Sequence, residues 1–172
     1  VIQYKNGTPV QSYNEKNAFK ETAGGYGSGY CYIDGLAFDK NGNLWMTSSE
    51  VNHAVLVLDK AGAWHRLDIE QLRGVYTIND ILITSTNDKW IYVPRNTPKL
   101  VMIPNSESLD EVSSYEFTTL IDTDGKELTP SNYTCVAEDK DGYIWVGTNR
   151  GAVYFTKPRI SSAEDKAATR CT

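Results

Sequence analysis

The chain has little of what catalytic and metal centres are usually built from. Its 172 residues include 3 cysteines and 2 histidines. Cys31, Cys135 and Cys171 are odd in number, far apart and without a Cys-x-x-Cys pair, so neither a disulfide framework nor a zinc site can be read from them. Cys135 falls in a strand-like run and is expected to be a small buried hydrophobe. There is no surplus of positive charge: 17 Lys and Arg stand against 22 Asp and Glu, a net charge of −5. That balance excludes nucleic acid and anionic membrane surfaces as expected partners and favours neutral or cationic ones. No apolar run approaches the roughly 18 residues of a membrane span, and no secretory signal pattern opens the chain. Val1 begins inside a strand-like run without a Met, which reads as a piece of a longer, processed protein. Long runs of helical periodicity are also missing, which excludes a helical solenoid.

What the chain does have is a repeated hairpin. Tyr133 to Ala137 and Tyr143 to Val146 flank the turn Asp139-Lys140-Asp141-Gly142, and Trp145 sits in the return strand. A Gly at the end of such a turn supplies the positive φ that the chain reversal needs. Ile33 to Thr47 repeats the pattern, with Asp39-Lys40-Asn41-Gly42 as the turn and Trp45 at the same offset from its Asp. A fainter copy spans Asn79 to Val93, with Thr84 in the Asp place, Asn87 in the Gly place and Trp90 as the Trp. Spacings of 45 and 55 residues between successive Trp positions fit four short strands with their turns.

The expected fold class is therefore all-β: a β-propeller segment of about three four-stranded blades plus a partial one, within a larger propeller. Residues 1–14 read as an outer-strand hairpin around Asn6-Gly7. Residues 15–31 form a Gly-rich loop, 32–76 a blade, 77–130 a blade with a polar insertion, 131–160 an incomplete blade without its fourth strand, and 161–172 an irregular tail. Inner strands are expected to be buried on both faces against neighbouring blades. Three blades cannot close a ring, so the remaining blades of the same protein or self-association are expected to cover the outer faces.

Several motifs are excluded by spacing. Gly24 to Gly29 is not a phosphate loop, because no Gly-Lys-Ser/Thr follows, and not a nucleophile elbow, because Tyr26 and Tyr30 take the flanking Gly places. Asp139-x-Asp141-Gly142 starts like a calcium loop, but its Gly comes early and no closing Glu follows. No metal and no cofactor is expected. The repeat residues Asp39, Gly42, Asp139 and Gly142 read as turn formers, and Trp45, Trp90 and Trp145 as wedges between blades.

The run Val136 to Gly151, with its Asp, Gly, Ile-Trp, Gly-Thr and Gly at near-repeat spacing, resembles the two-component regulator propeller repeat. That resemblance implies a periplasmic sensor region of a hybrid histidine kinase that detects carbohydrate breakdown products. Asp59 to His65, Lys89 to Arg95 and the last hairpin are together similar to PorZ-like propellers, which implies a surface role linked to type IX secretion. Asp39 to Trp45 also resembles streptogramin lyase repeats, which implies the alternative of a metal-dependent lyase with a His base. His53 lies in a suitable loop for that role, whereas His65 reads as a surface side chain in an outer strand.

In a propeller, the loops between second and third strands and those joining blades emerge on one face. Glu50, Asn52, His53, Arg95, Asn96, Asn149 and Arg150 fall in the former, and Tyr32, Asn79 and Tyr133 in the latter. These residue types suit hydrogen bonding and stacking on a glycan or another polar ligand, or contact with a sensor or secretion partner. The expectation is a non-catalytic recognition face, periplasmic or at the cell surface.

Overall fold

The structure is a computed structural model that describes residues 1–19, 30–122, 124–156 and the backbone of 169–170. It is a row of three four-stranded antiparallel sheets, each running in sequence order from its inner to its outer strand. The first blade comprises β3 (Ile33–Phe38), β4 (Leu44–Ser48), β5 (Val55–Leu58) and β6 (Trp64–Leu67). The second comprises β7 (Ile81–Ile83), β8 (Lys89–Val93), β9 (Lys99–Ile103) and β10 (Tyr115–Phe117). The third comprises β13 (Tyr133–Glu138), β14 (Ile144–Thr148), β15 (Gly151–Phe155) and β16 (Thr169–Arg170). Two short hairpins complete the description, β1 (Ile2–Lys5) with β2 (Thr8–Ser12), and β11 (Leu120–Ile121) with β12 (Glu127–Leu128). The chain is a β-propeller segment.

The hairpins form where the turn chemistry directs. Gly42 and Gly142 have φ of 85° and 84°, and Asn87 holds the equivalent place at 66°. Asn tolerates that region better than most residues, because its short amide can bond locally. Each Asp carboxylate organises its turn: Asp39 Oδ1 accepts from the amides of Asn41 (2.9 Å) and Asn43 (2.8 Å). Asp139 Oδ1 does the same for Asp141 and Tyr143, at 2.9 Å each.

Side chains alternate across each sheet, so one face of a blade meets the next blade. Trp45, with Val55 and Val57, packs into a core shared with Ile81, Ile91, Val101 and Ile103 of the second blade. Trp90 packs likewise into a core shared with Ile144, Val146, Val153 and Phe155 of the third, its ring 5.3 Å from that of Phe155. Inner strands approach so closely that a Cβ on Gly35 would lie 2.8 Å from the amide nitrogen of Ile81. Only a glycine fits there. The opposite face of the first blade meets Tyr13, Ala18 and Phe19, which pack on Met46, Leu56 and Trp64.

Three expectations need correction. The third sheet has a fourth strand, since Thr169 and Arg170 pair with Tyr154 and Val153; two residues carry too little alternation to be seen in sequence. Inner strands are not buried on both faces, because Leu36 and Phe38 of β3 are exposed. Cys135 is exposed rather than buried, for a related reason: it lies on the third blade's face away from the second. Beyond the second blade's outer strand Tyr115–Phe117, Leu120–Ile121 pair with Glu127–Leu128 in a hairpin of their own. The glycines of 24–29 and Cys171 lie outside the described residues.

Candidate recognition rim

At one end of the segment, hydrogen bonds tie the loops of all three blades into a belt. Ser49 Oγ donates to Asp34 Oδ2 at 2.7 Å and accepts from the Ile78 amide at 2.8 Å. The Glu50 amide donates to the Val75 carbonyl at 2.8 Å, and the Gly74 amide to that of Val51 at 2.9 Å. The first blade's β4–β5 loop is thereby fixed to the connection entering the second, whose turn of 3-10 helix spans Glu70–Leu72. Farther along, Asn79 Nδ2 donates to the Tyr92 hydroxyl (2.9 Å), which donates to the Thr134 carbonyl (3.1 Å). The Tyr133 amide donates to the Pro94 carbonyl at 3.1 Å, fixing the Arg95 loop to the third blade.

The ten candidate residues separate by what their side chains do. Tyr133 is fully buried in the core between second and third blades, with its hydroxyl 3.3 Å from the Phe117 carbonyl oxygen. Burial pushes its pKa far up, and it cannot reach a ligand at the surface. Its placement on the rim is corrected: the β-bulge at the start of β13 turns the ring inward. Asn79 is half-buried and committed to Tyr92. Asn149 is exposed, but its amide closes its own loop, accepting from the amides of Ser131 (3.0 Å) and Asn132 (3.1 Å) and donating to Ser131 Oγ (2.9 Å). Glu50, at φ of 62°, His53 and Tyr32 are half-buried. Asn52, Arg95, Asn96 and Arg150 are exposed.

His53, half-buried, lines a crevice of about 10 Å³ with Phe19, Ser48 and Arg66. Arg150 lines a groove of about 310 Å³ together with Asp122, Lys126, Glu127 and Thr129. Two wider grooves border the second blade's insertion, one of about 630 Å³ against the first blade's turns at 39–43 and 59–61, the other of about 690 Å³ against β6. No group of three or more His, Cys, Asp or Glu able to hold a metal occurs among the described residues.

Three features escaped the sequence reading. Asp34 sits on the bulge of β3; burial raises its pKa, partly offset by the hydrogen bond from Ser49. Asp80, exposed at the start of the second blade, adds a further carboxylate beside Gly35. His65 is no free surface side chain: its Nε2 lies 3.1 Å from Asp59 Oδ2, as the indole nitrogen of Trp45 lies 2.9 Å from Asp39 Oδ2. The signal was present, since His65 follows Asp59 at the interval by which Trp45 follows Asp39.

Residues 127–150 match the two-component regulator propeller repeat. A search of curated protein sequences finds no match. Among solved structures, the chain is similar to PorZ of Porphyromonas gingivalis, a bacterial surface component of the type IX secretion system, at TM-score 0.86 and 18% identity. That similarity covers 98% of this chain and 24% of PorZ. The extracellular domain of the hybrid two-component system BT3049 from B. thetaiotaomicron is similar at TM-score 0.61 and 17% identity, over 99% of this chain and 20% of that one. A streptogramin B lyase follows at TM-score 0.54 and 16% identity, over 74% of this chain and 38% of the lyase. The chain thus spans a quarter or less of the length of the first two. At these identities the likeness concerns the fold.

Proposed function

We propose that this propeller segment serves recognition rather than catalysis, in an extracytoplasmic protein of the sensor or secretion type, and that its ligand is a glycan. The observation that carries this is the anchoring of the Arg95 loop and the Arg150 turn to one edge. Tyr133 N binds Pro94 O, and Asn149 N binds Asn132 O at 3.1 Å, so two exposed guanidinium groups are held on rigid loops at the same end. Preorganised donors of this kind lower the ordering cost of binding. The loops of the same rim also carry Asp34, Glu50 and Asp80 as acceptors, with Asn52 and Asn96 as amides able to do both. Mixed donors and acceptors without a dominant sign suit a hydroxyl-rich neutral ligand better than a polyanion. Remaining blades of the same protein, outside this segment, are expected to complete the rim.

The test is binding of a panel of neutral and acidic oligosaccharides by calorimetry. One class is expected to bind saturably, and Arg95→Ala with Arg150→Ala to weaken it about tenfold or more, as for hydrogen bonds to charged groups. Unchanged binding in both variants would remove the assignment. Conversion of the oligosaccharide would restore the enzyme reading.

A further inference from the structure

We propose that the outer edge of β6 docks an extended, lysine-bearing segment of a partner protein. The segment pairs with β6 as an antiparallel fifth strand and turns its lysines toward the carboxylates of the second blade's insertion. Both walls of this site, residues 64–68 and 104–114, lie well inside the chain. The inference does not depend on the glycan reading of the rim.

The groove of about 690 Å³ beside β6 is lined by every residue from Trp64 to Asp68. Side chains alternate across a strand, so a groove on one face would meet only every second residue. Trp64 and Arg66 turn their side chains to the other face, Trp64 to the rings of Tyr13 and Phe19, and Arg66 to the Ala18 carbonyl at 2.8 Å. What they present to the groove is backbone. The register agrees. Asp59 N donates to Ala63 O at 2.9 Å, and alternation along the ladder then makes Val57–His65 and Val55–Leu67 the hydrogen-bonded pairs. The N–H and C=O groups of Trp64 and Arg66 therefore point away from β5, and among the described residues no strand pairs with them. Such an edge is a template for strand addition.

The facing wall is anchored and acidic. The insertion is held at one end by the Asn105 amide on Asp88 Oδ1 (2.7 Å) and at the other by Ser114 Oγ on Gln71 Oε1 (2.9 Å). Between them Leu109 and Val112 pack on the core of the first two blades, while Glu107, Asp110 and Glu111 are exposed. Asp110 borders both grooves, Glu111 the one beside β6, and Glu107 the one beside the Asp59 turn. Against them stand Lys60 and Arg66, and Arg66 is committed to Ala18. An added strand would place alternate side chains on the face of His65 and Leu67, toward this wall. Lysines there meet carboxylates, and acidic side chains are repelled. A sugar or a small cation could enter the groove but would leave the backbone groups of Trp64 and Arg66 without their regular partners. The strand edge selects a peptide backbone, and the charge of the wall selects its side chains.

The probe is a labelled peptide with blocked ends, Gly-Thr-Lys-Val-Lys-Thr-Gly, titrated into the intact chain by fluorescence anisotropy, with hydrogen exchange read at the Trp64 and Arg66 amides. Saturable binding is expected, together with slower exchange at both amides, and the same peptide with glutamates for lysines is expected not to bind. N-methylation of the central valine removes an N–H that faces β6 and is expected to weaken binding about tenfold or more. N-methylation of a lysine, whose N–H faces away, should leave binding intact. Asp110→Asn with Glu111→Gln is expected to weaken it about fivefold or more. Both positions are exposed, so that variant should retain the native circular dichroism spectrum. Binding that ignores the valine N-methyl group would overturn the proposal, since charge alone would then be its cause. Binding that ignores the loss of both carboxylates would overturn it from the other side. So would absence of binding, unchanged exchange at Trp64 and Arg66, or amides there already protected in the free chain. Failure of oligosaccharides to bind the rim would leave these outcomes unaffected.

Discussion

The indole Nε1 of Trp145 donates to Asp139 Oδ2 at 2.7 Å, joining the first residue of a turn to the wedge residue six positions later. Trp45 and Asp39 repeat the bond at 2.9 Å, and Asn43 Nδ2 also donates to Asp39 Oδ2, at 2.9 Å. One carboxylate therefore closes the turn with one oxygen and orients the wedge with the other. Asp39→Ala strands several donors around a buried site, and is expected to cost about 2–3 kcal/mol in urea unfolding. The same change at the more exposed Asp139 should cost less.

Acid sensitivity follows from the same bonds. At Asp39, burial alone would raise the pKa, but hydrogen bonds from Trp45, Asn43 and Asn41 outweigh it and hold the carboxyl below its usual range. At Asp59 the leading cause of a lowered pKa is the bond with His65, and at Asp139 the bond from Trp145. Their stabilisation is complete above the unfolded value of about 3.9 and is lost as pH falls through the lowered folded values. Asp34 has the opposite sign, since its raised pKa makes its charge a cost that acid relieves. Thermal melts of Asp39→Asn should lose less stability than the parent between about pH 5 and pH 2. An equal loss would show that the turn carboxylates do not govern acid unfolding.

Trp90 lacks what Trp45 and Trp145 have. Its Nε1 is buried without a partner among the described residues, because Thr84 stands where the other copies have Asp and its hydroxyl is engaged by the Asp88 amide at 3.0 Å. Thr84→Asp supplies the missing acceptor and is expected to stabilise the chain by about 1 kcal/mol in urea unfolding. A fall in stability would mean that repulsion from Asp88 outweighs the new bond.

Lys89 is buried with its Nζ 2.6 Å from the Asn87 carbonyl oxygen. Burial lowers its pKa, against the opposing pull of Asp39 and Asp88. A lowered lysine pKa is a cost to folding below the unfolded value of about 10.4, relieved as pH rises through the folded value. Lys89→Met keeps the packing on Trp45 and removes the desolvated charge, so stability at pH 7 should be unchanged or higher by about 1 kcal/mol. A large loss would show that the cation over the Trp45 ring is worth more than its desolvation.

Cys135 is exposed and Cys31 half-buried, with burial first and then Glu15 raising the pKa of the Cys31 thiol. A thiol reagent at pH 8 should modify Cys135 in the native chain faster than Cys31. The reverse order, read by peptide mass, would indicate that something covers the third blade's outer face.

The fold was legible because its signals are local. Asp-x-x-Gly turns fix the hairpins, and a Trp at constant offset marks the second strand, so sheets could be counted from the residues alone. What could not be read depends on neighbours. Whether Leu36, Phe38 and Cys135 are buried is decided by what lies against their sheet, which alternation within a strand does not reveal. The inward ring of Tyr133 follows from a bulge, and one extra residue exchanges the faces of everything before it. At the rim, sequence placed the loops but not the allegiance of their amides. Asn149 and Asn79 look like ligand donors in one dimension, and in three they hold backbone and Tyr92. His65 was misread because a histidine was not recognised as a substitute for the wedge tryptophan's N–H.

The proposed recognition role is tested most directly by hydrogen exchange of the chain with and without a bound oligosaccharide. Protection is predicted in residues 49–54, 94–98 and 149–151, the loops joined in one belt. Protection in the turns at 39–43, 59–63 and 139–143, with those loops unchanged, would contradict the assignment and move recognition to the grooves beside the second blade's insertion.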